Sequence, residues 1–183
     1  MTAKKNKLGK KQILVFGAAG FIGTYLIDEL IRQNYKIVAS DISKSGENYY
    51  RKKNIPYISI DITKEKDFSK LALTPFDVVI HLAAHQPANV SAINYDAKDY
   101  VNVNVIGTLN ILELCKKNTV GKFIYACSHR NTQGLWTKNT AISEEDGRSI
   151  KYNGEYSIFS ISESAAQDCI EHYSAQHGLK SLI

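Results

Sequence analysis

Residues 12–34 read QILVFGAAGFIGTYLIDELIRQN, and the order of features within them decides the fold. QILVF (12–16) is a continuous apolar run of strand length. GAAGFIG (17–23) follows it with three glycines. A helical pattern then puts Ile22, Leu26, Ile27 and Leu30 on one face. Glycines between a strand and a helix permit a tight turn and let backbone N–H groups approach a pyrophosphate. The helix N-terminus adds a favourable partial positive charge. A glycine-rich stretch alone says little; its strand–turn–helix setting is what this mode of binding needs.

The rest of the chain repeats the alternation. KIVAS (36–40), YISI (57–60), DVVIHLAA (77–84) and KFIYACS (122–128) read as further strands, and LKSLI (179–183) opens a sixth. KSGENYYRKKNIP (44–56) is polar without a clear period and reads as a loop with a helical turn. One long helical pattern covers 101–118, and a last helix runs from Tyr156 to His177 with Gly178 as its stop. Apolar strands alternating with helices predict an α/β fold, a Rossmann-like doubly wound parallel sheet with helices on both faces. Asp41 ends the second strand, 18 residues beyond Gly23. A carboxylate there can accept both ribose hydroxyls of an adenosine and repels a 2′-phosphate, which favours NAD over NADP. The same residue can instead cap the turn Asp-Ile-Ser-Lys.

Composition narrows the function classes. A chain of 183 residues suits one domain. Its net charge of +5 is matched by Lys4, Lys5, Lys7, Lys10 and Lys11, so residues 1–11 read as a basic flexible tail before a balanced domain over 12–183. No base-reading motif follows the tail, and no nucleic-acid partner is expected. ILVFGAAGFIG is too short to cross a membrane, which takes about 20 apolar residues. Cys115, Cys127 and Cys169 are widely spaced and odd in number. They suit neither a metal site nor a disulfide framework, and they point to a reducing, cytoplasmic setting.

Taken with these motifs, the chain resembles the extended short-chain dehydrogenase/reductase family, the NAD-dependent nucleotide-sugar epimerases and dehydratases. The glycine spacing GxxGxxG is that family's form. Asp61-Ile62 matches the acid–apolar pair that contacts adenine, and HLAA (81–84) matches the fourth-strand motif beside the nicotinamide. NVIGTLNILE (104–113) is similar to the family's NVxGTxNLLE helix, and KFIYACS matches the strand leading to the active-site serine. The resemblance implies NAD held by Gly17, Gly20, Phe21, Ile22, Gly23, Asp41, Ile42, Asp61, Ile62, Leu82, Ala83, Ala84 and Asn104. It also implies Ser128 at the reacting hydroxyl of a nucleotide sugar, and a homodimer paired through helices near 94–117 and 157–177. A smaller substrate domain is implied beyond the sixth strand, where this sequence stops.

In that family a tyrosine and a lysine four residues later share one helix face. The phenolate takes the sugar hydroxyl proton, and the ammonium lowers the phenol pKa. Anchoring the last helix at Gly178 puts Phe159 at the tyrosine position and Glu163 at the lysine position, with Ser162 retained between them. Phenylalanine has no ionisable hydroxyl, and a carboxylate would raise a neighbouring phenol's pKa. Tyr156, one turn earlier, is the local candidate for the missing acid/base group; it can also pack as a helix-start aromatic against the sheet. Family likeness implies an NAD-dependent enzyme, while Phe159 and Glu163 leave open a non-catalytic NAD-binding module that keeps the fold.

Overall fold

Every residue of β1 (Gln12–Phe16) after the first is buried, because the strand is covered on both faces. The computed structural model describes residues 10–71, 75–86, 96–137, 139–153 and 156–183. Lys4, Lys5 and Lys7 of the basic tail lie outside the described residues; Lys10 and Lys11 are exposed. β2 (Lys36–Asp41), β3 (Tyr57–Ser59), β4 (Val78–His81), β5 (Lys122–Tyr125) and β6 (Ser181–Leu182) join β1 in one sheet of order β3-β2-β1-β4-β5-β6. All pairings are parallel, and Val15 faces Ala39 on one side and Ile80 on the other. The order reverses between β1 and β4, and in such sheets ligands bind outside the carboxyl ends of the strands at that point.

Period-two alternation along β1 divides the core between the two faces. Leu14 and Phe16 join a cluster with Val79, Phe123, Ile111 and Ile170, under α4 (Gly107–Lys117) and α5 (Ser157–His177). Ile13 and Val15 join Ile27, Ile37, Ala39 and Tyr50, under α1 (Phe21–Arg32) and α2 (Ser45–Lys52). Each fully buried large apolar side chain contributes roughly 1.5–3 kcal/mol, so both faces are needed to hold the sheet.

Four expectations change in detail. The stretch 44–56 contains the eight-residue helix α2 rather than a loop. Tyr50 fixes it: the ring is fully buried, stacks on Tyr57, and its hydroxyl donates to the Ala18 carbonyl at 2.5 Å. Tertiary burial of one tyrosine thus overrides a polar local pattern. The single helix expected over 101–118 is a π-helical segment Val101–Ile106 followed by α4, and the short helix α3 (Ala97–Tyr100) precedes them. β4 and β5 end at His81 and Tyr125, so Leu82–Ala84 and Ala126–Ser128 leave the ladder and form walls above it. Ile22 turns outward from the α1 stripe and is exposed, whereas Ile27 is fully buried and Leu26 and Leu30 are partly so. Gly178 ends α5 in the left-handed region, as its position suggested.

Candidate functional site

Gly17 sets the geometry of the site. It has φ +77°, and a Cβ there would lie 2.5 Å from the Ala83 amide nitrogen. The backbone leaving β1 therefore crosses the backbone leaving β4 at contact distance, which only glycine allows. Gly23 meets a similar limit, since a Cβ would overlap the Gly17 carbonyl oxygen. Gly20 is the N-cap of α1, without a side-chain cap and without an acidic residue in the first turn. The leading N–H groups of α1 thus stay open to an anion, in a field that favours one.

Around this turn lies a cleft of about 430 Å³. Gly17, Gly20, Asp41, Ile42, Asp61, Ile62, Leu82, Ala83 and Ala84 line it, so the switch point gathers nine of the residues expected to hold a dinucleotide. Gly23 packs beneath the turn, and Phe21 projects outward with 80% exposure. Asn104 is buried and does not line the cleft. Its Oδ1 accepts from the His85 amide at 2.7 Å, and its Nδ2 donates to Ser162 Oγ at 2.9 Å. Asn104 therefore ties the wall after β4 to α5. Ser43, Thr63, His85, Gln86 and Val103 also line the cleft and were not singled out from the sequence. Only their places next to Asp41, Asp61 and HLAA, or one residue before Asn104, could have suggested them.

The two acids are held differently. Asp41 accepts from the Ala19 and Ser43 amides, one on each carboxylate oxygen, both at 2.9 Å. It braces the glycine turn while each oxygen keeps a lone pair for a hydroxyl. It caps the turn, as one reading of the sequence has it, and it also lines the cleft. Asp61 accepts from the Thr63 amide and hydroxyl, at 3.1 and 2.7 Å, and pairs with Lys64 at 2.8 Å. Burial pushes its carboxyl up, but Lys64 and Thr63 outweigh that and leave it below its ordinary value. Glycine turn, open helix terminus and paired acids together fit a dinucleotide with an unsubstituted adenosine ribose.

A second cavity, of about 380 Å³, adjoins the first through Leu82, Ala84 and Gln86. Ile22, Ser128, Arg130, Phe159 and Glu163 are among its walls. Ser128 caps the turn after β5, accepting from the Arg130 amide at 3.2 Å. Tyr156 is not among the lining residues; its ring lies under the Arg130 guanidinium, 4.7 Å from centroid to Cζ. Phe159 is buried and meets Tyr100 edge-on. Glu163 is 2% exposed. Burial pushes its carboxyl up to about 7, against a hydrogen bond with Tyr125 that pulls it down. Its Oε1 has no hydrogen-bond partner among the described residues. His81, also fully buried, has a 3.0 Å contact from Nε2 to Thr108 Oγ1, and burial lowers it to about 3. It supports the sheet beneath the site rather than lining it.

Comparison with known proteins agrees with this geometry. The model of the family described as NAD dependent epimerase/dehydratase matches residues 13–183. A UDP-N-acetyl-alpha-D-glucosaminuronate decarboxylase of Bacillus cytotoxicus is 33% identical over 143 residues, 76% of this chain and 42% of that protein. The structure of UDP-glucose 4-epimerase from Thermus thermophilus in complex with NAD is 25% identical, with a TM-score of 0.79 over 93% of this chain and 53% of that one. That of UDP-glucose 4-epimerase from Thermotoga maritima with UDP-glucose is 28% identical, with a TM-score of 0.77 and the same coverage of both chains. The chain spans about half the length of the curated relatives it matches.

The buried carboxyl makes a testable demand on stability. Glu163 ordinarily titrates at 4.5 and in the fold at about 7, so its contribution is complete below about 4.5 and is lost as pH rises through 7. His81, lowered by burial, works in the opposite sense between about 3 and 6.5, but is common to both proteins compared. Glu163→Gln should therefore gain about 3 kcal/mol on wild type between pH 4.5 and pH 8, at about 1.4 kcal/mol per unit, in urea unfolding. A difference that stays constant with pH would contradict the assignment.

Proposed function

This chain belongs to the NAD dependent epimerase/dehydratase family, and from that premise we propose that residues 12–183 are the NAD-binding Rossmann domain of an enzyme that acts on a sugar hydroxyl of a nucleotide sugar. The observation that carries the reading is the Gly17–Ala83 crossing with Asp41 bracing the turn. NAD, when bound, supplies a hydride acceptor. The α1 N-terminus and the glycine turn hold its pyrophosphate, Asp41 its adenosine ribose, and Asp61 and Ile62 flank the adenine. Gly23 and Asn104 act by positioning, through the turn and through His85. Ser128 orients the reacting hydroxyl in the second cavity. The chemical class of substrate is supported by relatives described as UDP-sugar epimerases and decarboxylases.

A proton acceptor is needed where the hydroxyl sits. Phe159 cannot supply one, and Tyr156 would have to leave Arg130 to reach the cavity. This observation favours a second reading, a module that binds NAD without transferring hydride. Two further properties belong to the proposal. Val101, Ile106 and Ile161 are exposed on the helices expected to pair, which supports a homodimer. Cys115, Cys127 and Cys169 are free thiols, in keeping with a cytoplasmic setting. Among the described residues, no helix is long and apolar enough to cross a membrane.

Calorimetry should find NAD bound more tightly than NADP, with the preference reduced about ten-fold in Asp41→Ala. Equal affinity for the two nucleotides would contradict the role of Asp41. In a panel of nucleotide sugars, turnover by the wild type supports the enzyme reading. Inactivity relieved by joint Phe159→Tyr and Glu163→Lys supports the module. A light-scattering mass of one chain at high concentration would reject the dimer.

A further inference from the structure

The two adjoining cavities differ in chemistry, and the reading that the chain binds NAD orients a ligand across them. Asp41 and Asp61 mark the adenosine end in the first cavity, and the glycine turn marks the pyrophosphate. The far end of the dinucleotide, carrying the nicotinamide, then passes Leu82 and Ala84 into the second cavity. Its walls include the apolar side chains of Ile22, Leu82 and Phe159, and among the described residues its only carboxyl is that of Glu163.

Glu163 has no cationic partner among the described residues, although a buried carboxylate is costly without one. From β5, Tyr125 faces it through a hydrogen bond, and Cys127 lies close enough for the Glu163 charge to raise its thiol, after burial. His129 and Arg130 line the same cavity, with the Arg130 guanidinium over the Tyr156 ring. From the π-helical segment, Asn104 reaches Ser162 rather than Glu163, and on α5 itself Gln167 is one turn further on. One carboxylate oxygen is left over.

We propose that Glu163 selects the charge state of the cofactor: its carboxylate is completed by the cationic ring of oxidised NAD, so the chain holds the oxidised form in preference to the neutral-ringed reduced form. The family pattern places an ammonium at this position, which would disfavour a cationic ring; the substitution reverses the sign of the field there. Because the free carboxyl is held up at about 7, it carries a proton in part of the population at neutral pH. Oxidised NAD expels that proton, and the reduced form leaves it in place.

The test is calorimetric titration of wild type and Glu163→Gln with NAD and with NADH, at pH 6 and pH 8, in buffers of two ionisation enthalpies. The oxidised-to-reduced affinity ratio of wild type should rise from pH 6 to pH 8, and binding of NAD near neutral pH should release a fraction of a proton. At pH 8 the ratio should fall at least about ten-fold in Glu163→Gln, a lower bound for a charge pair held out of bulk water. Should that variant fail to fold, the pH dependence and proton release of wild type decide the matter alone. A ratio that is unaffected by pH and by the substitution, with no proton release, overturns this inference while NAD binding stands. Failure of both forms to bind wild type overturns the cofactor reading and this inference with it.

Discussion

The backbones leaving β1 and β4 cross at contact distance, and the site depends on that crossing. It needs a residue without Cβ at Gly17, because any side chain there would meet the Ala83 backbone. The crossing brings the turn after β1 under the wall after β4, at the point where the strand order reverses. Asp41 then locks the turn by accepting from Ala19, and Gly23 lets α1 start directly against the Gly17 carbonyl. The cleft follows from these few backbone contacts. Side chains contribute the two acids at one end and the apolar wall at the other.

The parallel sheet was readable because buried parallel strands leave continuous apolar runs, and QILVF and KFIY are such runs. What escaped was set by tertiary contacts. α2 exists because Tyr50 reaches across to Ala18, a contact with no local signature in a polar stretch. The π-helical segment before α4 was also invisible, since its apolar and polar residues continue a helical period. At the site, the glycine turn and Asp41 were legible through their spacing. Asn104 was legible as a position but not as a role: it braces His85 and Ser162 instead of facing the cleft. Ser43, Thr63 and Gln86 reach the cleft by adjacency alone.

α5 carries the most unusual chemistry of the fold. Ser160, Ser162, Glu163, Ser164 and Gln167 are all buried on it, where a helix on a sheet ordinarily presents an apolar stripe. Hydrogen bonds offset part of that cost, through Ser162 to Asn104 and through Ser160 to the Arg130 carbonyl. Tyr173, donating to Glu113 at 2.5 Å, anchors the far end to α4. Glu163 Oε1 and Ser164 Oγ are the exceptions, buried without a hydrogen-bond partner among the described residues, and of the two residues Glu163 lines the second cavity. A polar group left unpaired in an interior calls for an explanation, and for Glu163 the adjoining cavity offers one.

A crystal structure of the chain with NAD bound tests the central claim most directly, because one dinucleotide must use both cavities. The adenosine ribose should lie on Asp41, the pyrophosphate over the Gly17–Gly23 turn, and the nicotinamide ring against Phe159 with Glu163 beside it. A dinucleotide lying in the reverse direction, or one whose nicotinamide stays outside the second cavity, would contradict that claim.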